Sequence, residues 1–109
     1  MKRFGQMIKL KPEGAAEYKR LHMTENIWPG VNEMIKKCNI ARYSIYCKDD
    51  FLFAYFEYTG INFEADMAMM AADPLTQKWW DTVKPLMQPL DTIKPDEFWA
   101  DMDEIYHLD

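Results

Sequence analysis

The run Phe51 to Tyr58 (FLFAYFEY) restricts the fold of this chain more than any other segment. Successive strand residues point to opposite faces, and here both sets are apolar. Phe51, Phe53 and Tyr55 fall on one side, and Leu52, Ala54 and Phe56 on the other. A strand apolar on both faces needs cover on both. Asp49-Asp50 separates it from Ala41 to Lys48 (ARYSIYCK), so the pair reads as a β-hairpin with a short polar turn. The helices of a 109-residue chain can cover one face of such a sheet. A second copy of the chain is the natural cover for the other, so a homodimer is expected.

The flanking segments supply the helices. Phe4, Gln6, Ile8 and Leu10 alternate with Gly5, Met7 and Lys9 as a first strand. Pro12 can open a helix in which Ala15, Tyr18 and His22 share the inner face, while Glu13, Glu17 and Arg20 line another side. A linker, Met23 to Ile27, leads to Trp28-Pro29 and a second helix facing inward through Val31, Met34, Ile35 and Cys38. Asn62 can cap a third helix bearing Phe63, Met67 and Met70. Asp73-Pro74 opens a fourth that carries Leu75, Trp79 and Val83 inward. Pro85, Pro89 and Pro95 mark an irregular connection, and Glu104 to Leu108 reads as a last strand with Ile105 and His107 on one face. This order predicts a ferredoxin-like α+β fold in one domain, residues 1–109, with helices on one face of an antiparallel sheet.

Several classes are disfavoured. The chain is 49% hydrophobic and 15% aromatic, which excludes a disordered polymer. A net charge of −5 without a basic block argues against nucleic-acid binding. No apolar stretch approaches the roughly 20 residues that cross a bilayer. The N-terminus lacks the pattern of a secretory leader, so a cytoplasmic location is expected. Cys38 and Cys47 match no zinc spacing and read as buried small hydrophobes. No metal site, Gly-rich phosphate loop or nucleophile elbow is present in the sequence.

The residues suited to chemistry are aromatic or imidazole. Tyr18 and His22 stand at i and i+4, which places their Cβ atoms about 5–6 Å apart on one helix face. A phenol and an imidazole there could grip two oxygens of one ligand, and histidine both gives and takes protons near neutrality. The alternative is a packed histidine bonded to a backbone carbonyl. Trp79 and Trp80 diverge by about 100° around their helix, so one packs inward while the other reaches an edge or cleft. An indole offers a flat apolar face and an N–H donor, which suits a sugar ring, or it simply packs. Tyr43 and Tyr46 lie on opposite faces of their strand, so at most one faces a given pocket. His107 could be a second ionisable group, although a surface role is the simpler reading. Asp101, Asp103 and Glu104 look like a solvated acidic segment.

Taken in order, Tyr18-x-x-x-His22, Ile27-Trp28-Pro29, Tyr43-Ser44-Ile45-Tyr46, Trp79-Trp80 and Asp103 to Leu108 resemble the L-rhamnose mutarotase family across nearly the whole chain. The resemblance implies a dimeric α/β barrel that interconverts the α and β anomers of a deoxy-hexose without a cofactor. By the family's motif, His22 matches the catalytic proton donor, and Tyr18, Tyr43, Trp79 and Trp80 match sugar-binding positions. The step from His22 to Ile27 is longer than the family commonly has, through Met23-Thr24-Glu25-Asn26. Two rivals share parts of this pattern. One is a cofactor-free or haem-degrading dimeric α+β-barrel monooxygenase, and the other is a non-catalytic sugar-binding module.

Overall fold

A computed structural model describes all residues, Met1–Asp109. Strand β1 (Lys2–Leu10) leads through a 3₁₀ turn at Pro12–Gly14 into helix α1 (Ala15–Leu21), and α2 (Pro29–Lys37) follows. The hairpin β2 (Ile40–Lys48) and β3 (Phe51–Tyr58) precedes α3 (Phe63–Ala72) and α4 (Pro74–Val83). Two short strands, β4 (Met87–Gln88) and β5 (Ala100–Met102), close the chain. The antiparallel sheet runs β2-β3-β1-β4, with β5 also paired to β1. This is the ferredoxin-like order, with the fourth strand position divided between two short pieces.

Local chemistry accounts for the joints. Asp49 and Asp50 both have positive φ, 52° and 62°, which matches the right-handed twist of the hairpin strands they join. Asn62 caps α3 by accepting from the Ala65 N–H, and Asp73 caps α4 by accepting from Thr76. In β2 an extra residue enters between Ala41 and Ser44, with Arg42 at φ 50°. This bulge leaves Tyr43 on the helix-covered face, opposite Phe56, and Tyr46 on the other.

The inner face buries two clusters. Ile8, Leu10, Tyr18, Leu21, Leu52, Val83 and Met87 form one, and Ile40, Phe56 and Tyr58 form the other. The strand register places Ile45, Ala54 and Gln6 in the row between them, short of apolar bulk at its centre. The outer face is only partly covered by the chain itself, with Phe53 38% and Tyr46 67% exposed.

Four expectations need correction. Glu104 to Leu108 is not a strand, and Ile105, Tyr106 and Leu108 are exposed. Met102 lies opposite Gly5, so the tail runs past the start of β1 within a few residues and loses its pairing partner. The last strands are instead β4, inside the proline-rich connection, and β5. Leu75 is 38% exposed, and its neighbour Thr76 is the buried residue of that turn, 2% exposed. Thr76 goes inside because Asp73 accepts both its N–H and its hydroxyl hydrogen. Only Cys38 is a buried thiol; Cys47 is exposed, because it sits on the edge strand β2 where no helix closes over it. Finally, α1 starts at Ala15 rather than Pro12, and His22 is its C-cap residue.

Candidate functional site

Two cavities meet between the sheet and the helices. The larger, about 940 Å³, opens at the β2 edge beside α1 and α2. The smaller, about 330 Å³, runs inward towards α4 and the β4–β5 connection. Both volumes fall in the range of small-molecule sites, roughly 300–1,000 Å³. They share one wall, which includes Tyr18, His22, Tyr43, Ile45 and Trp79. Four of the five residues singled out from the sequence therefore border both cavities. The fifth, Trp80, borders only the inner one, where the Lys84 ammonium sits 5.3 Å from its ring centre. His107 borders neither; its Nε2 pairs with Asp109 at 2.7 Å.

At the end of α1 the side chains form an aromatic run. The Tyr18 and His22 rings lie 4.2 Å apart, His22 meets the Trp79 ring edge-on at 5.2 Å, and Trp28 meets Trp79 edge-on at 5.1 Å. His22 Nδ1 lies 2.7 Å from the Tyr18 carbonyl oxygen. A carbonyl only accepts, so Nδ1 carries the hydrogen and donates it. That bond fixes the ring and leaves Nε2 as the nitrogen available to a ligand. His22 is thus both bonded to a backbone carbonyl and open to the cleft, so the two readings of its spacing are compatible.

The tyrosines differ in setting. Tyr18 is 5% exposed, and burial pushes its pKa well above the ordinary phenol value. Tyr43 keeps 41% of its surface exposed, yet desolvation of its hydroxyl end pushes the pKa up to about 12. Both phenols are neutral at physiological pH, a state that suits hydrogen bonding to a ligand rather than proton abstraction. No Asp or Glu lines either cavity; the charged residues there are Lys19, Lys36, Arg42 and Lys84. Arg42 is paired to Glu57.

The family model described as L-rhamnose mutarotase matches residues 3–108. The chain belongs to the L-rhamnose mutarotase family. Relatives agree over their whole length: L-rhamnose mutarotases of Oceanobacillus iheyensis and Phocaeicola vulgatus are 32% and 33% identical, with all of both chains covered. Among solved structures, an L-rhamnose mutarotase of Formosa agariphila superposes with a TM-score of 0.75 at 22% identity, covering both chains fully. Tetracenomycin F2 cyclase of Streptomyces glaucescens, a polyketide cyclase, gives 0.72 at 12% identity, covering all of this chain and 98% of the other. These two likenesses speak to the α+β fold.

The segment after His22 has a clear local form. Asn26 donates from its side chain to the Arg20 carbonyl, and the Asn26 and Ile27 N–H groups both return to Met23. Met23 to Asn26 fold into a compact turn over the end of α1, and none of them lines either of these cavities. Trp28, reached through this turn, was legible as a motif residue but not as part of the aromatic run. Gln6 was legible only as a strand residue, although it borders the inner cavity. A polar side chain at an inward position of an otherwise apolar alternation was the available signal.

Proposed function

We propose that this protein interconverts the α and β anomers of L-rhamnose by general acid–base ring opening and closure. The observation that carries the reading is His22: its Nδ1–H is tied to the Tyr18 carbonyl, which leaves Nε2 unbonded within the protein, and the residue borders both cavities. In the proposed reaction, the imidazolium Nε2–H protonates the ring oxygen as the bond from that oxygen to C1 breaks. A water removes the anomeric hydroxyl proton, and its electron pair forms the aldehyde carbonyl. Rotation about C1–C2 presents the other carbonyl face. The sugar hydroxyl then attacks C1 and returns its proton to Nε2, while the new anomeric oxygen regains one from water. Water takes the second role because no carboxylate borders the cleft and both phenols stay neutral. Tyr18 and Tyr43 bind sugar oxygens, and Trp79 and Trp80 seat the ring against their flat faces.

Further elements of the proposal concern setting. One domain over residues 1–109 carries the site, and the partly exposed aromatic face of the sheet pairs with a second copy in a homodimer. The exposed, unpaired thiol of Cys47 suits the reducing conditions of the cytoplasm.

Exchange spectroscopy of the anomeric protons of L-rhamnose, with and without protein, tests the activity. Acceleration by the wild type is expected, with a loss of about 10²–10⁴-fold in His22→Ala. An unchanged rate in the wild type refutes the activity and favours a sugar-binding module. A wild-type rate retained by His22→Ala refutes the role of His22.

A further inference from the structure

Gln6 points from β1 into the inner cavity, on a face whose other β1 members are Phe4, Ile8 and Leu10. Its Nε2 donates to Asp101 Oδ1 at 2.8 Å, and no protein group donates to its Oε1. Asp101 is opposite Gln6 in the β1–β5 register, and its own N–H donates to Glu97 Oε2 at 3.2 Å. A carboxylate only accepts, so Asp101 selects the amide orientation in which the NH₂ end is consumed and the carbonyl end is left over. The remaining oxygen is an acceptor without a protein donor, on a residue that borders the same cavity as Tyr18, His22, Trp79 and Trp80.

We infer that Gln6 recognises a sugar hydroxyl through Oε1, and that Asp101 is the positioning residue that orients it; the inference rests on the proposed sugar substrate. The hydroxyl donates to Gln6, while its oxygen remains free to accept from water or protein. A plain tether between β1 and β5 is the competing account, and it makes different demands on ligand binding.

The test is calorimetric titration with L-rhamnose and with analogues each lacking one ring hydroxyl, against the wild type, Gln6→Met, Asp101→Ala and the double variant. Methionine keeps the length of the side chain without the acceptor. Gln6→Met is expected to weaken L-rhamnose binding about tenfold, the scale of one lost hydrogen bond. The wild type should bind one deoxy analogue distinctly more weakly than L-rhamnose, and Gln6→Met should bind the two alike. Asp101→Ala should weaken binding alone but add nothing in the Gln6→Met background. Unchanged L-rhamnose affinity in Gln6→Met overturns the inference. So does an equal loss for every analogue together with a lowered Tm, which is the signature of a tether. Binding is read here without turnover, so a wild type that binds L-rhamnose but leaves anomer exchange unaccelerated counts against the proposed activity alone.

Discussion

At the scale of single residues, the site depends on which groups hold a proton and which cannot lose one. Tyr18 and Tyr43 are held neutral by burial, Tyr43 up to about 12. Anomer exchange should therefore show no inflection from tyrosine between roughly pH 7 and 10, where exposed phenols begin to ionise. A pH–rate profile of the wild type against Tyr43→Phe checks this. An alkaline inflection that vanishes in the variant contradicts the neutral-phenol reading. The Tyr18–His22 spacing was legible in the sequence because a helix fixes its own neighbours. The bond from His22 Nδ1 to the Tyr18 carbonyl was legible only as one of two alternatives.

At the scale of elements, α4 shows how a cap holds a cavity-lining residue in place. Asp73 accepts from the Thr76 N–H at 2.9 Å and from its hydroxyl at 2.8 Å, with Thr76 almost fully buried. Trp79 stands three residues beyond Thr76, so the first turn of α4 sets where its indole meets His22. Asp73→Ala removes the cap and leaves a buried hydroxyl without its acceptor. The expected loss is about 2 kcal/mol of stability, read from the urea midpoint. A change within a few tenths of a kcal/mol shows that the cap is not limiting. The cap was legible as Asp73-Pro74. The inward residue of the turn was not, because hydropathy favours Leu75 while the hydrogen bonds to Asp73 draw Thr76 inside.

At the scale of the molecule, hydrogen-bonded carboxylates bear on stability, and the open sheet face is the place to test assembly. Hydrogen bonds from Tyr58 and Asn39 hold the Asp66 carboxyl below the usual carboxylate range, and the Lys94 N–H does the same for Glu97. The folded state thus takes up these protons only at lower pH than the unfolded chain. Their stabilisation is complete above the unfolded values, about pH 4, and is lost as pH falls through the folded ones. Thermal melts should show Tm falling below about pH 4, with a smaller fall in Asp66→Asn. An acid limb equally steep in the variant excludes Asp66 as a contributor. If the outer face pairs with a second copy, Phe53→Lys should convert dimer to monomer in light scattering coupled to size exclusion. A wild type that is monomeric, or a variant that remains dimeric, rejects that pairing.

Local rules were enough to read the hairpin, the caps of α3 and α4 and the inner face of α2 from the sequence, because each depends on residues within a few positions of one another. The opposite faces of Tyr43 and Tyr46 were legible too, and the β2 bulge at Arg42 preserves that relation. The last strand position is divided because residues 89–99 leave the sheet between β4, paired to Lys9 and Leu10, and β5, paired to Gly5 to Met7. The exposure of Cys47 was decided by β2 lying at the sheet edge. Ile45, Ala54 and Gln6 form a row between two apolar clusters, and Ile45 and Gln6 from that row border the inner cavity, a relation created by strand register across three distant segments. Periodicity tells a residue which face it takes; only the packed sheet decides which residues from elsewhere share that face.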